Sequence, residues 1–359
     1  MNGACRELPN APNRISKANK KEKVKRRNNL YEEICSMENL RLADEKARKN
    51  KKKTYGIRLH DKNKEHNLRT LHGMLVWQTY RTSQYDVFKL FTPKERLIFR
   101  LPYYPDRITH HAIMNVLEPI WVSIFNSDTY ACIKGKGIHA AVKKLKGEIY
   151  RDKEGTKYCL KVDIRKFYPS IDHEILKQIV RRKIKDRKLL WLLDEIIDSA
   201  EGVPIGNYLS QYFANLYLAY FDHWMKEEKK VKYYYRYADD IVVLHHEKEY
   251  LHDLLKDMRK YLRDNLKLII KDNYQVFPTG VRGIDFLGYV FYPTHTLLRK
   301  KIKVNYSRRV AKIRKKNNIT HRYVMRQLCS WDGWCKHCDA INLKNKLLKD
   351  LPNEIKFKH

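Results

Sequence analysis

Apolar residues change period several times along the chain, and each change marks an element. Leu30, Ile34, Met37, Leu40 and Ala43 recur at helical spacing, which predicts a helix over residues 30–47, with Glu32 and Glu33 at its positive end. A second helix is expected over residues 67–77, then a strand pair over residues 85–90 and 96–101. Residues 160–163 read as a short strand, residues 176–197 as mostly helical, and residues 207–226 as a long, aromatic-rich helix. The run from Tyr233 to Leu244 is aromatic and β-branched on both sides of a short polar break, the pattern of a buried hairpin with a tight turn. A helix over residues 250–262 and a strand over residues 266–270 follow. Residues 1–27 show almost no apolar period and carry a Lys/Arg cluster from Lys20 to Arg27, so they read as a disordered basic tail. Helices alternating with short strands, two of them backing the sheet, predict an α+β fold.

The polar break of the hairpin holds the candidate chemistry. Tyr237-Ala238-Asp239-Asp240 puts two carboxylates together where desolvation and mutual repulsion disfavour both anions, unless divalent cations neutralise them. Taken alone, the dipeptide reads better as a solvated turn. Asp163 changes that reading, because it ends a strand and supplies a third acid from a separate element. Phosphoryl transfer with two metals needs cations about 4 Å apart, bridged by carboxylates. After Asp163 come Phe167 and Tyr168 and a Pro-Ser-Ile-Asp turn, with Asp172 placed to cap a helix beginning near His173.

At this point the chain resembles the reverse transcriptases. Six blocks come in that family's order: Arg96 to Ala112, including Asp106-Arg107-Ile-Thr-His-His; Tyr130-Ala-Cys-Ile-Lys-Gly-Lys-Gly137; the Asp163 strand; Gly202-Val-Pro-Ile-Gly-Asn-Tyr-Leu-Ser-Gln211; the Tyr-Ala-Asp-Asp hairpin; and Gly283-Ile-Asp-Phe-Leu-Gly-Tyr289. The resemblance implies a right-hand polymerase: fingers with an N-terminal helix over residues 28–156, a palm over 157–299 with a helical insertion near 173–200, and a basic helical thumb over 300–359. It implies RNA-directed DNA polymerase activity with two Mg²⁺, Mn²⁺ being a possible substitute, held at Asp163, Ile164, Asp239 and Asp240. Tyr168 would stand beneath the sugar of the incoming dNTP and repel a 2′-hydroxyl; an ordinary core tyrosine is the other reading. Leu287, Gly288 and Tyr289 correspond to the primer grip.

One block selects a subfamily. Where intron-type relatives read Gln-Gly-x-x-x-Ser-Pro, this chain has Ile205-Gly206-Asn-Tyr-Leu-Ser210-Gln211, which is similar to the reverse transcriptases of diversity-generating retroelements. Ile205 offers only apolar contact in place of an amide, so one hydrogen-bond check on nucleotide geometry is lost. The resemblance implies low-fidelity copying of a template RNA at adenines, mutagenic retrohoming of the cDNA, and a small, basic, oligomeric accessory variability protein as partner. A retron or phage-defence reverse transcriptase, and an intron-type RNA-binding maturase, are the alternatives. About sixty residues follow the palm, which counts against a maturase.

Composition agrees with a nucleic-acid partner. The chain of 359 residues has 75 Lys+Arg against 41 Asp+Glu, a net charge of +34, which attracts polyanions. No apolar stretch reaches the twenty or so residues of a membrane span, and the first dozen residues lack a signal peptide's apolar core. With seven scattered Cys residues suggesting reduced thiols, a cytoplasmic protein, bacterial or phage-encoded, is expected. Residues 300–359 hold 17 Lys/Arg against 4 Asp/Glu, interleaved with Tyr306, Tyr323, Trp331 and Trp334, a pattern suited to tracking a template–primer backbone. Lys94, Arg96 and Arg107 are candidates for the triphosphate or template, with duplex backbone binding as the alternative, and Lys271 for protonating pyrophosphate. Cys335-Lys-His-Cys338 has no second paired spacing and is read as part of a helix rather than a zinc site. His110-His111 and His245-His246 are read as packing or surface residues.

Overall fold

The structure is a computed structural model and describes residues 26–51, 53–91, 95–316 and 320–349. The expected basic tail therefore lies, up to residue 25, outside the described residues. Arg27 is tied down: its N–H donates to the Lys183 carbonyl at 2.7 Å and its carbonyl accepts from Lys185 N–H at 2.9 Å.

Four helices open the fold: α1 (Tyr31–Cys35), α2 (Met37–Ala47), α3 (Tyr55–Lys62) and α4 (Lys64–Val76). The single helix expected over 30–47 is broken at Ser36, which leaves helical geometry and accepts the Asn39 N–H on its hydroxyl, starting α2 as an N-cap. The apolar period runs through the break because both pieces face the same core. α3 escaped the sequence reading because it buries only Ile57 and His60 and leaves Tyr55 and Leu59 exposed.

Strands β1 (Asp86–Phe91) and β2 (Glu95–Arg100) form a two-stranded antiparallel sheet. A kinked turn over Tyr103–Arg107, with Tyr104 in extended geometry, leads into α5 (Ile108–Val122), and α6 (Ile138–Arg151) precedes β3 (Tyr158–Asp163). Helices α7 (His173–Arg181), α8 (Arg187–Ile197) and α9 (Tyr208–His223) then separate β3 from the hairpin of β4 (Tyr233–Tyr237) and β5 (Asp240–His245). The helical stretch predicted over 176–197 is two helices. Asp186 stands between them, accepting Leu189 N–H with one oxygen and the N–H groups of Leu30 and Tyr31 with the other, so one carboxylate caps α8 and anchors the start of α1.

After α10 (Lys248–Leu266) comes β6 (Gln275–Pro278), giving an antiparallel central sheet in the order β4-β5-β3-β6. No strand forms over 266–270. Leu266 ends α10, Lys267 at φ +51° turns the chain, and a single bridge joins Ile270 to Ile164. The alternation that suggested a strand is real, with Leu268 and Ile270 buried and Ile269 58% exposed, but the segment is pinned beside β3 by Arg165 N–H to the Ile269 carbonyl and, one residue on, Lys271 N–H to the Asp163 carbonyl, and builds no ladder. The single turn α11 (Thr279–Arg282) leads to a three-stranded sheet of β7 (Ile284–Phe286), β8 (Tyr289–Phe291) and β9 (Thr296–Leu298), followed by α12 (Lys300–Arg314), α13 (His321–Cys335) and α14 (Ile341–Leu348).

Side-chain alternation divides the central sheet between two cores. Leu160, Val162, Tyr234, Ile241 and Val243 pack with α9, itself buried nearly all round, and with α10. Cys159, Tyr233, Tyr235, Val242 and Leu244 face α6, the three-stranded sheet and α12–α13. Asp163 and Asp240, by the same period, point to the second face. Cys335 is the last residue of α13 and Cys338 follows in the turn, where its thiol meets the carbonyls of Trp334 and Cys335, so both are packing residues but do not share a helix.

Candidate active site

Asp163, the last residue of β3, and Asp240, the first of β5, are register partners, and Asp239 sits in the turn between β4 and β5. Directly opposed residues on one sheet face place their Cβ atoms roughly 5 Å apart, so the three acids share one corner. Burial raises the Asp239 carboxyl above its ordinary range, with Asp163 adding to it. Burial, with Asp163 and Asp239 beside it, pushes Asp240 up to about 6 against the pull of Lys161. Oδ1 of Asp240 is buried without a hydrogen-bond donor, and Oδ1 of Asp163 is 2.7 Å from Lys271 Nζ without an aligned hydrogen bond. Carboxylate oxygens on adjacent strands, one without any donor and one facing only an ammonium, fit a divalent cation site. The Ile164 side chain is fully buried, so its main-chain carbonyl is what it can offer a metal.

Tyr168 begins a 3₁₀ turn, Tyr168–Ser170, and is half-buried; burial raises its hydroxyl pKa, and both Cys132 and Asp239 are close enough to add to the rise. Phe167 is buried edge-on against it, with ring centroids 5.5 Å apart, and so supports the ring. Asp172 caps α7 through the Ile175 N–H at 3.0 Å, as the sequence indicated.

The loop carrying Ile205 is wedged between this turn and the β1–β2 hairpin. Val203 N–H donates to the Tyr168 carbonyl at 2.9 Å, and Phe99 N–H, on β2, donates to the Ile205 carbonyl at 2.8 Å. Gly206 has φ +130°, and a Cβ there would lie 2.5 Å from the Phe99 carbonyl, so only glycine lets the loop approach the strand this closely. Ile205 is half-buried and Gln211 exposed, whereas Ser210 is buried and spends its hydroxyl on the Pro204 carbonyl at 2.6 Å. Ser210 is thus a loop-closing residue.

The cationic candidates separate. Lys271 touches Asp163 because its backbone N–H donates to the Asp163 carbonyl at 2.9 Å, closing the chain against β3. Arg96 is exposed on β2 and close enough to lower the Asp239 pKa. Arg107 lies further off, lining with Lys51, Arg100, Tyr55 and Tyr104 a cavity of about 730 Å³ that has no carboxylate in its wall. Lys94 lies outside the described residues. His110 and His111 are buried at the start of α5, and burial lowers them to about 3 and about 4, which keeps both neutral.

Leu287 and Gly288, at φ +50° and +89°, form the two-residue turn between β7 and β8. A Cβ on Gly288 would come within 2.6 Å of the Trp334 ring. Tyr289 is fully buried and its hydroxyl donates to the Trp334 carbonyl at 3.0 Å, so it ties the turn to α13 and its side chain does not face the cleft. Sequence reasoning missed Lys161, which reaches both the Asp285 carbonyl and, at 3.8 Å, Asp240; it also missed Arg299, bonded to Asp285 and close enough to lower the Asp240 pKa. Lys161 stands two residues before Asp163, on the same strand face, which was the available signal.

An antiparallel sheet with three carboxylates gathered at one corner, helices behind it and helical layers at its flanks, is the palm of a right-hand polymerase. The profile of the reverse transcriptase (RNA-dependent DNA polymerase) family matches residues 91–291, and the chain belongs to that family. It is 25% identical over 272 residues to protein YkfC of Escherichia coli K12, covering 63% of this chain and 70% of that one. It is 26% identical over 140 residues to the group II intron-encoded protein LtrA of Lactococcus lactis, covering 36% of this chain and 23% of LtrA. Nuclear intron maturase 1 of Arabidopsis thaliana is 23% identical over 93 residues, 26% of this chain and 12% of the maturase. Among solved structures, apo telomerase from Candida tropicalis superposes with a TM-score of 0.44 at 10% identity, over 59% of this chain and 48% of that one. No helix among the described residues is long and apolar enough to cross a membrane.

Proposed function

We propose that the chain is an RNA-directed DNA polymerase of a diversity-generating retroelement, copying a template RNA into cDNA with low fidelity at adenines for mutagenic retrohoming. The polymerase reading is carried by the three-acid corner: Asp163 and Asp239 would hold two cations between them, with Asp240 completing the set. Bound Mg²⁺ supplies charge and acidity at the primer 3′-oxygen and the leaving pyrophosphate. The protein's own residues orient the reactants. Tyr168 lies under the deoxyribose and excludes a 2′-hydroxyl, Arg96 draws the triphosphate toward Asp239, and Lys271 holds a proton beside Asp163. The Leu287-Gly288 turn lies against the primer, and template ahead of the site passes through the cationic cavity lined by Lys51, Arg100 and Arg107. The basic helices α12–α14 follow the duplex behind it.

The subfamily reading is supported by Ile205, half-buried on a loop pinned to both Tyr168 and β2. An apolar side chain there tests the nascent pair by shape only. The test is to sequence cDNA made from an adenine-containing RNA with the basic accessory variability protein present. Misincorporation concentrated opposite adenines supports the reading, and errors spread evenly over the four template bases contradict it. The likeness to LtrA and the intron maturases favours a second reading, an intron-type protein. Near-duplicate genomic repeats differing at adenines belong to the first reading and a flanking intron to the second.

A further inference from the structure

Arg236 is wholly buried on β4, one residue before Tyr237. A buried guanidinium is tolerated only when paired and hydrogen-bonded throughout. Here every donor has a partner. Nε and Nη2 grip Asp222 on α9, the former at 2.7 Å, and Nη2 also lies 3.5 Å from the Thr129 hydroxyl. Asp222 takes two further donors, Tyr234 Oη at 2.6 Å and Thr129 Oγ1 at 2.7 Å. Nη1 points the other way, donating to Asn215 Oδ1 at 3.2 Å and to the Ala238 carbonyl at 3.1 Å. The backbone of Arg236 is held as well, its N–H by the Asp128 carbonyl and its carbonyl by the Tyr130 N–H, both at 3.0 Å.

The Ala238 carbonyl belongs to the peptide that carries the Asp239 N–H. Ala238 has φ +52°, a left-handed conformation that is unfavourable for a non-glycine residue and persists only where the surroundings impose it. Fixing that peptide plane fixes the direction in which Asp239 leaves the turn, and hence its approach to Asp163.

We propose that Arg236 is a positioning residue that sets the Asp239 carboxylate for divalent metal binding, using Asp222 on α9 as its anchor. This rests on the reading of Asp163, Asp239 and Asp240 as the metal site. Lysine keeps the charge opposite Asp222, but its three donors cannot reproduce the planar span from Asp222 to Ala238.

The experiment compares the full-length wild type with Arg236→Lys and Asn215→Ala, the latter removing the group that shares Nη1. Three quantities are measured: the melting temperature, free Mn²⁺ by electron paramagnetic resonance during titration of the protein on a template–primer, and primer extension against Mg²⁺ concentration. For Arg236→Lys the expected results are unchanged template–primer affinity, Mn²⁺ binding and half-saturating Mg²⁺ weakened about tenfold, and kcat about thirtyfold lower, the scale of a sub-ångström misplacement. Asn215→Ala shifts the metal dependence in the same direction by about threefold and decides the matter should Arg236→Lys fail to fold. Wild-type Mn²⁺ affinity and Mg²⁺ dependence in the folded variants overturn the positioning role alone. A wild-type chain that binds no Mn²⁺ and extends no primer overturns the metal-site reading and this inference together.

Discussion

Strands β4 and β5 are buried on both faces, whereas β1 is exposed along its whole length and β2 along most of it, including Val87, Phe88, Leu90, Phe91 and Leu97. Both are short antiparallel hairpins rich in aromatic and β-branched residues. The β4–β5 turn is held from below by Arg236 and from the side by β3, through register pairing of Asp163 with Asp240. Among the described residues, β2 is tied to the Ile205 loop by the hydrogen bond from Phe99 N–H to the Ile205 carbonyl. Burial gives the first hairpin a fixed geometry suited to metal chemistry. Exposure gives the second a surface of basic and apolar side chains suited to meeting nucleotide and template. The Ile205 loop joins β2 to the Tyr168 turn that follows β3, so a change there reaches both.

The acid corner gives the largest expected effect. Asp239→Asn should lower primer extension by about three orders of magnitude or more while RNA affinity, set by basic residues elsewhere, stays nearly intact. Extension at near wild-type rate would remove Asp239 from the chemistry. Next in size is sugar selection: Tyr168→Ala should raise ribonucleotide incorporation by about a hundredfold in a competition assay, and Tyr168→Phe should change little, because the clash comes from the ring. Equal discrimination by wild type and Tyr168→Ala would place the gate elsewhere.

The joining loop comes third. Ile205→Gln should improve selectivity opposite template adenines by about tenfold, the scale of one hydrogen bond near 1 kcal/mol. An unchanged adenine error frequency, read by cDNA sequencing with the accessory protein present, would leave the errors to the template and accessory protein.

The smallest effect is on stability. The Asp240 carboxyl is raised to about 6, so folding favours its protonated form. The stability this contributes is complete below the ordinary carboxylate pKa and is lost as pH rises through about 6. Without divalent metal, Asp240→Asn should therefore be more stable than wild type at pH 8, by roughly 1–3 kcal/mol, and no more stable at pH 4. Denaturant melts at the two pH values check this, and an equal difference at both would refute the electrostatic account.

Much of the palm was legible because two-residue alternation and a three-acid pattern are local signals. Asp163, the Asp239-Asp240 turn, the Asp172 cap and the β1–β2 hairpin all read directly from spacing. What escaped depends on partners far apart in sequence. Arg236 interrupts a tyrosine-rich strand and Asp222 an aromatic helix, and a lone cation and a lone anion in two apolar elements are what a buried ion pair leaves in a sequence. Tyr289 and Ser210 matched functional blocks by position, but the structure turns their side chains inward, to Trp334 and Pro204. The segment over 266–270 alternates like a strand without having a ladder to join.

The proposed function stands on Asp163, Asp239 and Asp240 holding two cations. Counting bound Mn²⁺ per chain on a template–primer with an unextendable 3′ end and a matched dNTP tests it most directly. Two ions are expected in the wild type, about 4 Å apart by their magnetic coupling, with at least one lost in Asp163→Asn and in Asp239→Asn. Wild-type stoichiometry and coupling in both variants would contradict the claim.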